Sequence, residues 1–277
     1  APCKVVLAFH NPNPYQNLHP LTSTQHWRFR ALLQLSRLSV RKAKKVIFVS
    51  EYAKAIASNK LHCPTEKAVV IHHGVNKLYN STSLNPNTTS SKYDLATRSP
   101  YILFASTLYH YKNPVRLVDA FALCCKQPGF NYDLVIAGKS DDPATFTEVQ
   151  EHIQSRNLSN RIHLLGEVPQ NEMPSLYTNA SLFVFPSYSE TFGLPLVEAM
   201  ASGVPVAAAN AASMPEVAGE AAVYFDPFSI NDIAKTIETV VNDKNLSDSL
   251  RQRGLTRANK FSWKRSAEET SRLSREA

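Results

Sequence analysis

The first fifty residues contain neither aspartate nor glutamate. They carry eight basic side chains: Lys4, Arg28, Arg30, Arg37, Arg41, Lys42, Lys44 and Lys45. The whole chain has a formal net charge of +7, so residues 51–277 carry −1 (+7 less +8). The positive excess is confined to one segment. That pattern fits a local partner for one face and argues against general nucleic-acid binding. Cysteine is scarce, with four in 277 residues, at none of the spacings of a zinc site or a disulfide framework. A reducing compartment is expected, with the adjacent Cys124-Cys125 as core filler. No apolar run approaches the about 20 residues that cross a bilayer. Lys4 to Phe9 is too short for the apolar part of a signal peptide and leads straight into polar sequence, so a cytoplasmic chain is expected. The N-x-S/T sequons at Asn80, Asn87 and Asn157 are then incidental. No G-x-G or G-G precedes Gly74, so the upstream part has no glycine-rich phosphate loop. Hydrophobic content of 43% over 277 residues supports a globular protein of one large or two modest domains.

The most informative stretch is residues 181–205, SLFVFPSYSETFGLPLVEAMASGVP. Ser181 to Pro186 reads as a buried strand and Ser187 to Gly193 as a loop. Leu194 to Ser202 reads as a helix with Pro195 in its first turn, where a missing N–H costs little. Gly203 ends it, and Val204-Pro205-Val206 begins the next strand. Such a helix start offers free N–H groups and a positive dipole end to a phosphate. Glu190 in the loop and Glu198 in the helix could face one crevice, and a carboxylate suits sugar or ribose hydroxyls. An isolated E-x7-E is equally at home in a plain βαβ unit with two solvated glutamates.

Around this stretch the chain alternates strands and helices. Lys4 to Phe9 is a buried-strand pattern that ends at His10, at the loop position where ligands sit in open α/β sheets. His10 reads as a ligand contact or as a satisfied loop histidine. Trp27 to Lys45 has helical apolar spacing with basic residues between. It reads either as a basic amphipathic helix on an anionic membrane or lipid diphosphate, or as a crossover helix with a solvated basic face. Val46 to Val49 is a strand, Ser50 an N-cap, and Lys67 to Ile71 a further strand. His72-His73 is not a metal pair, since adjacent side chains diverge and no third ligand is near. Residues 77–99, rich in Asn, Ser, Thr and Pro, read as a linker. Pro100 starts a second series: Tyr101 to Ser106 a strand, 107–113 a turn carrying Lys112, and Pro114 to Cys125 a helix. Lys112 stands where an ammonium can meet a phosphate. Asp133 to Gly138 and Arg161 to Leu165 are strands. Asp141-Asp142 reads as a solvated loop or a helix cap. Ala207 to Met214 reads as a small-residue loop, and helices follow to the end.

The segment S-E-T-F-G-L-P-L-V-E-A-M-A-S-G-V-P-V closely resembles the donor-site signature of the retaining glycosyltransferases of family four. Glu190 and Glu198 match its two glutamates. The stretch YILFASTLYHYKNPVRLVDAF is similar to the family's phosphate-contacting segment, with Lys112 at its basic position. Ser106 stands there where glycine is usual, and Tyr111 where arginine is common. Gly166-Glu167-Val168-Pro169 resembles the base-binding loop, Pro215-Glu216-Val217 the P-E-V stretch, and Phe261-Ser262-Trp263 the entry to the last helix. His10 matches a histidine at the inter-domain cleft.

The resemblance implies an α/β, GT-B-like fold of two Rossmann-like domains with parallel sheets, the N-terminal one truncated. The expected division is 1–98, a partial acceptor-side domain with linker; 99–260, a nucleotide-sugar-binding domain; and 261–277, a helix packing back toward the first domain. It implies retaining, metal-independent sugar transfer from a UDP- or GDP-linked donor to a glycan or lipid-linked hydroxyl acceptor. Catalytic positions are His10, Glu190 and Lys112. Donor positions are Glu198, Lys112, Gly166, Val168, Phe192, Gly193 and Leu194. No cofactor or metal is implied. Contact of the basic segment 28–45 with the inner face of a membrane, and a partner chain or second copy, are further expectations. The alternative is a non-catalytic nucleotide-sugar-binding fragment or half of a split enzyme.

Overall fold

The computed structural model describes residues 5–10, 23–79 and 100–276. Lys4, the two sequons at Asn80 and Asn87, and the expected linker from residue 80 onward lie outside the described residues. The elements run β1 (Val6–Phe9), α1 (Ser23–Lys42), β2 (Lys45–Phe48), α2 (Glu51–Leu61) and β3 (Ala68–Val70). After residue 100 come β4 (Tyr101–Ala105), α3 (Pro114–Cys124), β5 (Asp133–Ala137), α4 (Pro143–Ser155), β6 (Ile162–Gly166) and α5 (Met173–Asn179). Then follow β7 (Leu182–Phe185), α6 (Leu194–Ala201), β8 (Val206–Ala209), α7 (Met214–Ala218) and β9 (Val223–Phe225). Helices α8 (Ile230–Asn242), α9 (Lys244–Ala258) and α10 (Trp263–Glu276) close the chain.

Every strand pairing is parallel. The first sheet has the order β1-β2-β3, and the second β6-β5-β4-β7-β8-β9. Parallel strands need helical crossovers and are buried on both faces, which is why β4, β7 and β8 are apolar throughout and fully buried. In the second sheet the chain winds outward from β4 through β5 to β6, then returns to the other side of β4 and winds through β7 and β8 to β9. The winding direction therefore reverses between β4 and β7, and the loops leaving these two neighbours diverge to leave a crevice.

Local signals explain the helix starts. Ser50 caps α2 by accepting from the Ala53 N–H, and Asp142 caps α4 through the Thr145 N–H, the second of the two readings open for the Asp141-Asp142 pair. Proline occupies the first turn of α3 and α6. One expectation fails. Residues 207–209, expected in a loop, form most of β8 between β7 and β9. A run of alanines carries little strand propensity, but in a strand covered on both faces small side chains admit close helix packing.

The last helix returns to the first sheet. Leu273 of α10 packs with Ile47 and Ile71, beside Val6 and Val69. Its entry crosses the end of β3, where Val75 bridges Ser262 and the Val75 N–H reaches the Phe261 carbonyl at 3.4 Å. Gly74 makes this crossing possible. A Cβ there would lie 2.0 Å from the Trp263 nitrogen and 2.5 Å from the Ser262 carbonyl carbon, both backbone atoms that cannot swing away. Gly74→Ala should therefore destabilise the protein by about 1–3 kcal/mol through forced separation of the two segments. A denaturant midpoint equal to that of the parent chain would show that the crossing is not rigid.

Candidate functional site

The crevice at the β4/β7 reversal is closed by two loops stitched to one another. The Tyr111 carbonyl accepts from the Tyr188 N–H at 3.1 Å and from the Ser187 hydroxyl at 3.2 Å. Asn113, in the left-handed conformation that joins the turn to α3, donates its side-chain amide to the carbonyls of Pro186 and Pro227. This stitching brings Lys112, after β4, against Glu190, after β7. The ammonium and the carboxylate form an ion pair, and both side chains are largely buried. Lys112 also lies 5.3 Å from the Tyr111 ring centre and 5.8 Å from that of Phe185. A cation, an anion and a free helix start thus share one crevice.

The helix start itself is α6. Gly193 precedes it with φ 85°, in the left-handed region, and its amide environment is buried. A side chain at that φ would be strained, so glycine is required by conformation more than by space. Leu194 is 36% exposed at the first position of the helix, whereas Phe192 is buried with its ring against His72, His73 and Phe261. The donor contact expected of Phe192 is one with its backbone.

Glu198 is not placed beside Glu190's partner. It lies against Tyr177 of α5, whose hydroxyl donates to Oε2 at 3.2 Å, and the hydroxyl of Tyr79 also faces it. Burial raises the Glu198 carboxyl above its ordinary range, while these two hydroxyls draw it back down. Gly166 ends β6 and Val168 follows it, two strands from β4, or about 10 Å at the usual strand spacing. Gly166 has φ 67° and open space around it, and its carbonyl accepts from Gly138 N–H at 2.8 Å. The crevice is thus lined along the C-terminal ends of the parallel strands, from the β6 turn to the α6 start.

The first sheet reaches the same loop. His10 follows β1, and its carbonyl accepts from the Thr191 hydroxyl at 2.9 Å, one residue from Glu190. Its ring stacks on His73 with centres 5.1 Å apart, Nδ1 lying 3.4 Å from His73 Nε2. His73 is packed by Phe192 and Trp263. Burial first, then the neighbouring His10 and His72, pull its pKa down to about 4, so it is uncharged at neutral pH. The position of His73 beside His10 was not legible from sequence, because the two are far apart in the chain and meet only through β1-β2-β3 pairing. Among the described residues no three His, Cys, Asp or Glu side chains are grouped as metal ligands.

A second missed residue is Glu216 of α7. Its carboxylate accepts from the backbone N–H groups of Glu51 and Tyr52, at 2.8 and 3.0 Å, and contacts His72 Nε2 at 3.0 Å. It therefore caps a helix of the first sheet from an element of the second. Burial raises its pKa, but His72 and the two amides outweigh burial and hold the carboxyl below its usual value. The sequence signal was present in P-E-V, without any indication of what the glutamate touches.

Two parallel sheets meeting across loops at their C-terminal edges define the GT-B glycosyltransferase architecture. Solved structures agree: sucrose-phosphate synthase from Thermosynechococcus elongatus superposes with a TM-score of 0.80 at 24% identity, covering 98% of this chain and 67% of that one. Anabaena HepE in complex with UDP and glucose gives 0.81 at 22% identity, covering 98% and 71%. Residues 86–257 match the model of the glycosyl transferases group 1, and residues 1–77 that of Glycosyltransferase Family 4. The chain belongs to the glycosyl transferases group 1 family. Among curated proteins it is 30% identical over 240 residues to the O-antigen chain mannosyltransferase B of Escherichia coli, covering 84% of this chain and 60% of that protein. It is 28% identical over 221 residues to the O-antigen chain mannosyltransferase RfbU of Salmonella typhimurium, covering 80% and 56%. The chain thus spans a little over half the length of these relatives.

The Glu216 cap has a definite pH signature. Its folded pKa is depressed, so its stabilisation is present above the ordinary carboxylate range and is lost as pH falls through the folded value. Glu216→Gln should cost about 1–3 kcal/mol at pH 7, and the gap to the parent should narrow as pH falls below the ordinary carboxylate range. A gap that is constant with pH would mean that the charge is not what holds the two sheets together.

Proposed function

We propose that the protein is a retaining glycosyltransferase that moves a sugar from a nucleoside-diphosphate sugar to a hydroxyl acceptor, without a metal. The observation that carries this reading is the Lys112–Glu190 pair at the β4/β7 crevice, beside the free start of α6. In this reading the diphosphate is held by Lys112 and the amides at Gly193 and Leu194, where charge and dipole both favour an anion. Glu190, released from Lys112 when phosphate takes the ammonium, accepts hydroxyls of the sugar. Glu198 accepts the ribose hydroxyls, and the base lies against the Gly166–Val168 turn. His10, delivered to the same loop through Thr191, faces the anomeric carbon.

The leaving diphosphate accumulates negative charge as the glycosidic bond breaks. Lys112 and the helix start stabilise that charge where water is largely excluded, and this supplies most of the rate enhancement. The diphosphate oxygen takes the acceptor's proton as the acceptor attacks from the same face, which keeps the anomeric configuration. Tyr111, at a position where the family more often has arginine, leaves Lys112 as the principal cation in this turn.

UDP and GDP are the nucleotides to test first, and the mannosyltransferases among the relatives make mannose the first sugar. The acceptor class is a glycan or a lipid-linked sugar. No helix among the described residues is long and apolar enough to cross a membrane. The outer face of α1, with Trp27 71%, Leu35 61% and Leu38 53% exposed among arginines, supports contact with an anionic membrane surface.

Calorimetric titration with UDP and GDP tests the reading. One of the two should bind, and Glu198→Ala should weaken it by about ten- to a hundredfold, from the loss of charged hydrogen bonds. Lys112→Met should weaken the diphosphate far more than the bare nucleoside. His10→Ala should leave nucleotide affinity nearly intact while lowering sugar turnover by about a hundredfold. Equal affinities for parent and Glu198→Ala would remove the ribose role. Absence of any binding would favour the alternative, a fragment that needs a partner chain to complete the site.

A further inference from the structure

Glu198 is gripped by two tyrosines that no motif of the donor signature contains. Tyr177 of α5 is fully buried, as is Tyr79, which ends the first-sheet half of the described chain. Their rings meet edge to face at 5.7 Å, and Tyr177 continues edge-on into Phe183 of β7 at 5.3 Å. A buried phenol that packs this tightly has little rotational freedom and must place its hydroxyl on a partner. For Tyr177 that partner is Glu198 Oε2 at 3.2 Å, and the Tyr79 hydroxyl faces the same carboxylate and the side chain of Gln170.

Three facts make this more than packing. A carboxylate has about four lone-pair sites, so two phenols leave room for a vicinal diol. Both phenols are donors toward it, so they favour the ionised form that accepts ribose hydroxyls. The two tyrosines also come from opposite sides: Tyr177 from the second sheet's own α5, Tyr79 from the segment reached directly from β3. A glutamate alone on the exposed side of a helix start would sample several rotamers. Here the side chain is fixed before any ligand arrives.

We propose that Tyr177 and Tyr79 are positioning residues that hold Glu198 in the orientation and charge state needed to accept the two ribose hydroxyls of the donor nucleotide. This rests on the ribose role of Glu198 proposed above. Ribose recognition then draws on Tyr79, four residues past the Val75 crossing, as well as on the second sheet's own α5.

The test compares affinity for UDP and GDP with that for their 2′,3′-dideoxy counterparts in the parent chain and in Glu198→Ala, Tyr177→Phe, Tyr79→Phe and the double phenylalanine variant. The ratio of the two affinities isolates ribose recognition, because a general loss of fold or site lowers both alike. The parent should prefer the ribonucleotide by about tenfold or more, and Glu198→Ala should bring the ratio near one. Each phenylalanine variant should lower the ratio by about three- to tenfold, and the double variant should approach Glu198→Ala. A ratio unchanged in Tyr79→Phe, Tyr177→Phe and the double variant, with Glu198→Ala at one, overturns the positioning role and leaves the ribose role standing. A ratio that survives Glu198→Ala, or a parent chain that binds none of the four nucleotides, overturns the ribose role and the proposal with it. Should Tyr177→Phe fail to fold, Tyr79→Phe decides alone, since its ring and packing are kept while the hydroxyl is removed.

Discussion

The reversal of strand order between β4 and β7 is the constraint on which the rest depends. Two neighbouring parallel strands send their chains to opposite sides of the sheet, and the gap between the loops must be filled by side chains or by a ligand. Here the polar loop 187–193 enters that gap and is held on every flank. Ser187 and Ser189 are buried, the Tyr111 carbonyl accepts from residues 187 and 188, and Ser213 donates to the Glu190 carbonyl at 3.2 Å. A buried polar loop is tolerable only if its hydrogen bonds are made. The loop is therefore rigid for a reason, and Glu190 inherits that rigidity.

The same loop is where the two sheets touch. Thr191 gives its hydroxyl to the His10 carbonyl and its own carbonyl to the Ser50 hydroxyl, so one residue ties the ends of β1 and β2 to the crevice. Around it the contact is aromatic: Phe192 sits among His72, His73 and Phe261. Burying a phenylalanine contributes roughly 1.5–3 kcal/mol. The polar cap from Glu216 adds direction to that apolar contact, because a carboxylate on two successive amides fixes both distance and angle. Apolar burial presses the sheets together, and the charged cap sets their register.

Electrostatics at this junction follows from the packing. His73 is stripped of water by Phe192 and Trp263 and stays neutral, whereas Glu216, equally near the junction, stays charged because it is supplied with donors. Glu198 lies between these cases, raised by burial and drawn back by phenols. Three ionisable groups near one crevice thus reach three different outcomes: burial acts on all of them, neighbouring histidines add to it at His73, and hydrogen-bond donors oppose it at Glu216 and Glu198.

The features readable along the chain were local and periodic. The apolar runs at 101–105 and 182–185, the proline and glycine that bracket α6, and the cap at Ser50 all act within a few residues, so they were legible as elements, and Asp142 was one of two readings left open. The resemblance to two family segments singled out Glu190 and Glu198 in one and Lys112 in the other. The strand at 206–209 was only half legible, because alanines reveal a buried strand through what covers them. Which of these groups meet is a matter of the long-range packing. Lys112 and Glu190 are 78 positions apart, Glu216 and Glu51 165, and Thr191 and His10 181. Sheet order brings such pairs together, and sheet order is set by long-range burial and crossover handedness, which leave no short-range trace in the chain.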